Sequence, residues 1–183
     1  MVLSRLAAFI LAAGAAALTP AGAGAQAVTA FADIKGCEDP KVTGRATLTE
    51  RPSAEGVKLV DIEINVSGLP DGKKAVHIHE VANCTPCAAA KGHFDPGPHG
   101  NSSPDGNHPF HLGDLINIVI KDGAGSMSTT TSRVTLSPGP LSLFDADGSA
   151  FIIHVKEDTY CPGGEVAGCA GGARAACGVI KKM

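Results

Sequence analysis

Polar and apolar residues alternate along several short stretches of this chain. In Asp61–Ser67, Ile62, Ile64 and Val66 are separated by Asp61, Glu63 and Asn65, the period of a strand with one buried face. Val42–Glu50 shows a Thr-rich alternation of the same type. Leu115–Ile120 and Met127–Leu136 flank Lys121-Asp122-Gly123-Ala124-Gly125, which predicts a hairpin around a glycine turn. Phe151–Val155 and Gly178–Lys182 are short apolar runs that fit buried strands. Beyond residue 25 no ten-residue segment has a helical period. Short strands at regular spacing predict an all-β protein, an antiparallel sandwich or flattened barrel. Two stretches fit no strand: Asn83–Leu112 and Lys156–Ala176, the first rich in Pro, Gly, His, Asn and Ser. Long loops on a rigid sheet are where sites usually sit.

The first 25 residues follow a different pattern. Arg5 precedes an apolar run from Leu6 to Leu18, then small residues ending Ala23-Gly24-Ala25. A charged start, an apolar centre and an A-x-A site predict a secretory signal peptide, residues 1–25. The apolar run is too short to span a bilayer. Residues 26–183 then carry 14 Lys+Arg against 18 Asp+Glu, with no basic patch, which argues against a nucleic-acid partner. No repeat or linker divides them, so one domain is expected. Trp is absent, so the core must be built from Val, Ile, Leu and Ala. Six cysteines follow the leader: Cys37, Cys84, Cys87, Cys161, Cys169 and Cys177. An even number in an exported chain predicts disulfides before metal ligands. Cys161 and Cys169 lie in one Gly-rich loop and suit a local disulfide. Cys84-x-x-Cys87 has the form of a redox dithiol, but that motif normally opens a helix in a βαβ setting, which this sequence lacks.

All seven histidines fall between His77 and His154. In Val76-His77-Ile78-His79-Glu80 the two histidines are two apart, so on a strand both project from one face and can reach one ion. His154 lies in another strand-like run and can approach the same face. His93, His99 and His111 sit in the first long loop, with Asp114 three residues after His111. Three imidazoles and a carboxylate suit tetrahedral zinc. Four imidazoles with an open position suit Cu(II).

His77-Ile78-His79-Glu80, Gly92-His93-Phe94-Asp95-Pro96, His111-Leu112-Gly113-Asp114-Leu115, the isolated His154 and Arg174-Ala175-Ala176-Cys177-Gly178 follow one another in an order that resembles the copper/zinc superoxide dismutases. The resemblance covers residues 26–183 and looks like the bacterial, periplasmic branch. It implies an eight-stranded antiparallel Greek-key β-barrel, one copper and one zinc per chain, and superoxide as substrate. It implies copper on His77, His79, His93 and His154, and zinc on His93, His99, His111 and Asp114, with His93 bridging the two. Asp158 matches a carboxylate linking a copper histidine to a zinc histidine, Arg174 the arginine beside the open copper position, and Cys84–Cys177 the family disulfide. Cys37–Cys87 would then pair by elimination. Both a monomer and a homodimer remain open. His108 is an extra histidine in a long zinc segment; it reads as a solvated loop residue, with replacement of His111 at zinc as the alternative. Phe94 and Phe110 read as loop-packing residues. Arg174 is the only cation between Asp158 and Cys177, so Lys91 or Lys156 would have to help steer an anion. The rival reading is an exported copper/zinc-binding protein without turnover, which would have no need of an arginine at an open site.

Overall fold

The structure, a computed structural model, describes residues 27–97, 105–164 and 166–183; the expected leader lies outside them. Among the described residues there is no α-helix. The strands are β1 (Val28–Gly36), β2 (Thr43–Pro52), β3 (Lys58–Ser67), β4 (Gly72–Lys74), β5 (Val76–His79), β6 (Ile118–Ile120), β7 (Ala124–Thr131), β8 (Ala150–His154), β9 (Arg174–Val179) and β10 (Lys181–Lys182). Eight of them form one antiparallel sheet in the order β5-β8-β9-β1-β2-β3-β7, with β10 pairing β1. β4 and β6 form a two-stranded antiparallel sheet. The chain changes partner between β4, on β6, and β5, on β8.

The alternation read from the sequence fixes which residues face inward. Ala32, Ala46, Ile64 and Met127 stand opposite one another across β1, β2, β3 and β7, and all are buried. Each isoleucine fully removed from water there contributes about 1.5–3 kcal/mol. β1 was not among the predicted strands, because its inward positions are mostly Ala30 and Ala32, which carry little hydrophobic contrast. The predicted hairpin is present with a tighter turn, and its second strand ends at Thr131 instead of Leu136. The amides of Leu136 and Ser137 leave the ladder to meet the carboxylate of Glu50.

β5 and β8 are buried on both faces, as is β9 over Ala176, Cys177 and Gly178. Val76, Ile78, Phe151, Ile153 and Ala176 point into the main core. The other face carries His77, His79 and His154, together with Ala150, Ile152 and Cys177 in a second, smaller cluster. That cluster includes Cys87 and Ala90 of a single 3-10 turn, Cys87–Ala90, in the first long loop. Disulfides Cys84–Cys177 and Cys37–Cys87 tie this loop to β9 and to the end of β1 across sequence separations of 93 and 50 residues. Cys161–Cys169 closes a small ring, separation 8, in the second loop. Closing the longest of these rings is worth up to about 4–5 kcal/mol on a chain-entropy account.

Glu50 occupies an inward position of β2 and is only 7% exposed. It accepts from the Leu136 amide at 2.6 Å, the Ser137 amide at 2.9 Å and the Ser137 hydroxyl at 2.7 Å. Burial raises its pKa, but these bonds outweigh it and leave the carboxyl below its ordinary value of 4.5. Its stabilisation is therefore complete above that value and is lost as pH falls through the lower, folded-state pKa. Glu50→Gln should cost about 1–3 kcal/mol at pH 7. In denaturant titrations the gap between variant and parent should narrow once pH drops below 4.5; a gap independent of pH would refute the ionised role.

Candidate metal centre

β5 places His77 and His79 on the loop-facing side, with neither side chain exposed. β8 runs antiparallel to β5 with Ile152 opposite His77. His154, two residues on, therefore emerges on the same side, and its Nε2 lies 3.2 Å from Nδ1 of His77. His93 joins them because its segment runs as a short extra ladder along β5. The Phe94 amide donates to the Ile78 carbonyl at 2.8 Å, and the Ile78 amide to the Gly113 carbonyl at 2.9 Å. Phe94 anchors that ladder in the core at 1% exposure. Gly113 permits it: a Cβ there would sit 2.2 Å from the Ile78 carbonyl oxygen.

Each strand histidine has one nitrogen committed outward. His77 Nε2 donates to Asp158 Oδ2 at 2.9 Å. His79 Nδ1 donates to the Lys91 carbonyl at 2.8 Å, and His154 Nδ1 to the Gly172 carbonyl at 2.8 Å. A neutral imidazole has one N–H, so the inward nitrogens are bare lone pairs. The inward Nε2 atoms of His79 and His93 are buried without a hydrogen-bond partner. The ligand atoms of His77, His79, His93 and His154 all lie within 4.8 Å of one another. Bare lone pairs converging in a dry site repel unless a cation holds them, so the donor set fits a metal ion of the kind that takes four imidazoles. Burial, the largest influence, pushes His77 down to about 3 and His154 to about 4. It also holds His79 well below the ordinary imidazole value. These nitrogens are therefore unprotonated and available at neutral pH.

A second cluster adjoins the first around one carboxylate. His93 Nδ1 is 2.6 Å from Asp114 Oδ1, while His108 Nδ1 is 3.0 Å and His111 Nδ1 3.3 Å from Asp114 Oδ2. His93 thus turns one nitrogen to each cluster. Ligand atoms of His77, His93, His108 and Asp114 form a second group with all mutual distances within 4.8 Å. Burial raises Asp114, but the bonds from His108, His111 and His93 outweigh it and hold the carboxyl far below its usual range. Three imidazole nitrogens and a carboxylate oxygen are a donor set that fits zinc.

Asp158 spans the two clusters. Its Oδ2 accepts from His77, and its Oδ1 accepts from His108 Nε2 at 2.9 Å and from the Tyr160 amide at 2.6 Å. Asn117 clamps its backbone in both directions, accepting from the Asp158 amide at 2.8 Å and donating to the Asp158 carbonyl at 2.9 Å. Burial raises Asp158 too, and His108 and His77 more than reverse it. Arg174 donates from Nη1 to the Cys87 carbonyl at 2.6 Å and from Nη2 to the Lys91 carbonyl. The Lys91 oxygen therefore serves both Arg174 and His79, and the charge of Arg174 contributes to the lowered pKa of His79 and His154.

The structure thus brings together His77, His79, His93, His154, His111, Asp114, Asp158 and Arg174. His99 lies outside the described residues. Two expectations need correction. His108 is not solvated: at 7% exposure it sits between Asp114 and Asp158, whose charges compensate for its burial. Phe110 does not pack in its loop: it is 68% exposed. Sequence reading also missed Arg133, whose guanidinium donates to the carbonyls of Pro109, His111 and Asp114 and so braces the ligand-bearing loop. A lone arginine acting on backbone oxygens leaves no side-chain motif to find.

A sequence profile described as copper/zinc superoxide dismutase matches residues 42–180. A Cu-Zn superoxide dismutase of Deinococcus radiodurans is 37% identical over 156 residues, covering 78% of this chain and 79% of that protein. A second such enzyme, from Aquifex aeolicus, is 40% identical over 148 residues, covering 77% and 80%. Among solved structures, a double mutant of a SOD-like protein from Bacillus subtilis superimposes with a TM-score of 0.60 at 29% identity, covering 81% and 95%. The clock protein EA4 shares the fold, with a TM-score of 0.65 at 24% identity, covering 85% and 94%. With both clusters in place on this fold, and with relatives of that identity along most of its length, the chain belongs to the copper/zinc superoxide dismutases.

Proposed function

We propose that this chain disproportionates superoxide at the cluster formed by His77, His79, His93 and His154, which hold copper. His93, His111 and Asp114 hold zinc, with a further imidazole from the segment between His93 and His111. The observation that carries this reading is the convergence of bare imidazole nitrogens, each fixed by an acceptor on its far side. Copper, when bound, supplies the one-electron chemistry, accepting an electron from one superoxide to give dioxygen and returning it to a second to give peroxide; zinc has no redox chemistry of its own.

The chain's own residues do the rest. Asp158, Lys91 and Gly172 hold the tautomers of His77, His79 and His154, so each offers the correct nitrogen without reorganising. His93 turns Nδ1 to Asp114 and leaves Nε2 unpartnered beside the first cluster, so it can take up a proton at Nε2 and deliver it as peroxide forms. Arg174 orients the anion: its guanidinium is held by two carbonyls beside His79, and neutral acceptors leave its charge uncancelled. The acidic chain otherwise repels superoxide, so this local positive field sets the approach.

We further propose that residues 1–25 direct export and that the mature domain, residues 26–183, works in the periplasm. Three disulfides and bacterial relatives support that setting, since such bonds persist in oxidising compartments. No helix among the described residues is long and apolar enough to cross a membrane.

The test is metal content together with superoxide dismutation by the oxidised protein of residues 26–183. Near one copper and one zinc per chain, with activity lost on copper removal and restored by copper, is the expected result. Metals bound without turnover would make it a binding protein. Arg174→Ala should lower the rate about tenfold or more and weaken azide binding while copper content stays unchanged; loss of copper would assign Arg174 a structural role instead. His93→Ala should abolish the coupling by which zinc removal alters the copper EPR spectrum, and an unchanged spectral response to zinc would remove His93 from the bridge.

A further inference from the structure

We infer that His108 completes the zinc site, and that a latch built from Asp105 and the Cys161–Cys169 ring holds it there. The inference rests on the metal reading above and assigns the imidazole that reading leaves open. Two histidines, His99 and His108, lie between His93 and His111. His108 has the geometry of a ligand. Its side chain is fully buried, and its Nδ1 faces Asp114 Oδ2 at 3.0 Å, the oxygen that Nδ1 of His111 also faces. Its Nε2 lies 2.8 Å from Asp158 Oδ2, the oxygen that accepts from His77. His108 therefore stands to the second cluster as His77 stands to the first: one nitrogen inward, the other on the shared carboxylate.

A loop histidine needs something to keep it in place, and here the second loop provides it. Asp105, three residues before His108, accepts from the Gly168 amide at 2.9 Å and the Ala170 amide at 3.1 Å. Its carbonyl accepts from the His108 amide. Gly168 lies inside the ring closed by Cys161–Cys169, and Ala170 follows immediately after it. The same segment pairs with Asp158 through an Asp158–Ala170 bridge, and the Thr159 amide donates to the Cys169 carbonyl. One small ring thus positions both the carboxylate that orients His108 and the carboxylate that anchors its turn. Asp105 and the two cysteines are positioning residues, since none of them is directed at the metal.

The experiment is zinc affinity by competition with a chromophoric chelator on the copper-loaded, full-length domain, with the d–d spectrum of Co(II) placed at the zinc site as a second readout. His108→Ala should weaken zinc by about a hundredfold or more and distort the tetrahedral Co(II) spectrum, while His99→Ala leaves both unchanged. Asp105→Asn, and the Cys161→Ser/Cys169→Ser pair, should each weaken zinc by about tenfold to a hundredfold, the range seen when groups that orient metal ligands are removed. Copper content and its visible spectrum should stay as in the parent, which also reports that the variants are folded. Zinc lost with His99→Ala and kept with His108→Ala would overturn the ligand assignment while leaving the metal reading intact. Parental zinc affinity in Asp105→Asn and in the cysteine pair would overturn the latch. A parent domain that takes up no zinc would overturn the metal reading itself.

Discussion

The site depends on a buried carboxylate that stays ionised. Asp158 is 2% exposed, and an isolated carboxylate so placed would cost several kcal/mol or take up a proton. Three donors prevent that: two imidazoles and an amide, while Asn117 holds its backbone at both ends. The arrangement also works in the other direction. An imidazole that gives its single N–H to Asp158 has only a lone pair left to present inward. For His77, whose pKa is lowered to about 3, keeping Asp158 charged and fixing the tautomer are thus one and the same interaction, and loss of either would undo the other.

Strand parity explains why this chemistry lies outside the main core. β5 must bury Val76 and Ile78 on one side, which sends His77 and His79 to the other. Nothing in the sheet can cover that side, so loops do. The loops contribute backbone carbonyls, those of Lys91 and Gly172, that fix two of the histidines. A carbonyl fixes a tautomer only if its own segment is fixed. This accounts for disulfides where the loops meet the sheet and in the second loop itself, since a loop of this composition has little apolar surface with which to hold itself. The two cysteine bridges at β9 and β1 also form the small apolar cluster beneath the 3-10 turn, so they supply packing as well as constraint.

The sequence was legible where one residue type does one job at fixed spacing. Ile62, Ile64 and Val66 announced β3, and His77-x-His79 announced a face. β1 stayed hidden because Ala30 and Ala32 bury as completely as isoleucine but contrast weakly with their neighbours. β7 ended early because Glu50, distant in sequence, competes for the amides of Leu136 and Ser137. The same limit applied at the site. His108 read as a solvated residue because Asn107, Pro109 and Gly106 around it are loop formers; its burial follows from Asp114 and Asp158, which no local window contains. Arg133, Asn117 and Asp105 act on backbone atoms, and backbone atoms carry no sequence identity.

The electrostatics follow from how the charges are partnered. Asp114 and Asp158 face imidazoles, so their charge is spent inside the site on orienting those rings. Arg174 donates to carbonyls, which hold its position without neutralising it. A carboxylate partner would have held the guanidinium as firmly and removed its field. In a domain with more acidic than basic residues, the buried negative charges of the loop-covered face are thus already engaged by imidazoles, while the Arg174 charge is held only by neutral carbonyls. The same Lys91 oxygen that positions Arg174 also orients His79, so the charge proposed to guide the anion and an imidazole proposed to hold copper share one backbone atom. Registration between the guanidinium and the imidazole is thereby built into the loop, and needs no contact between the two side chains.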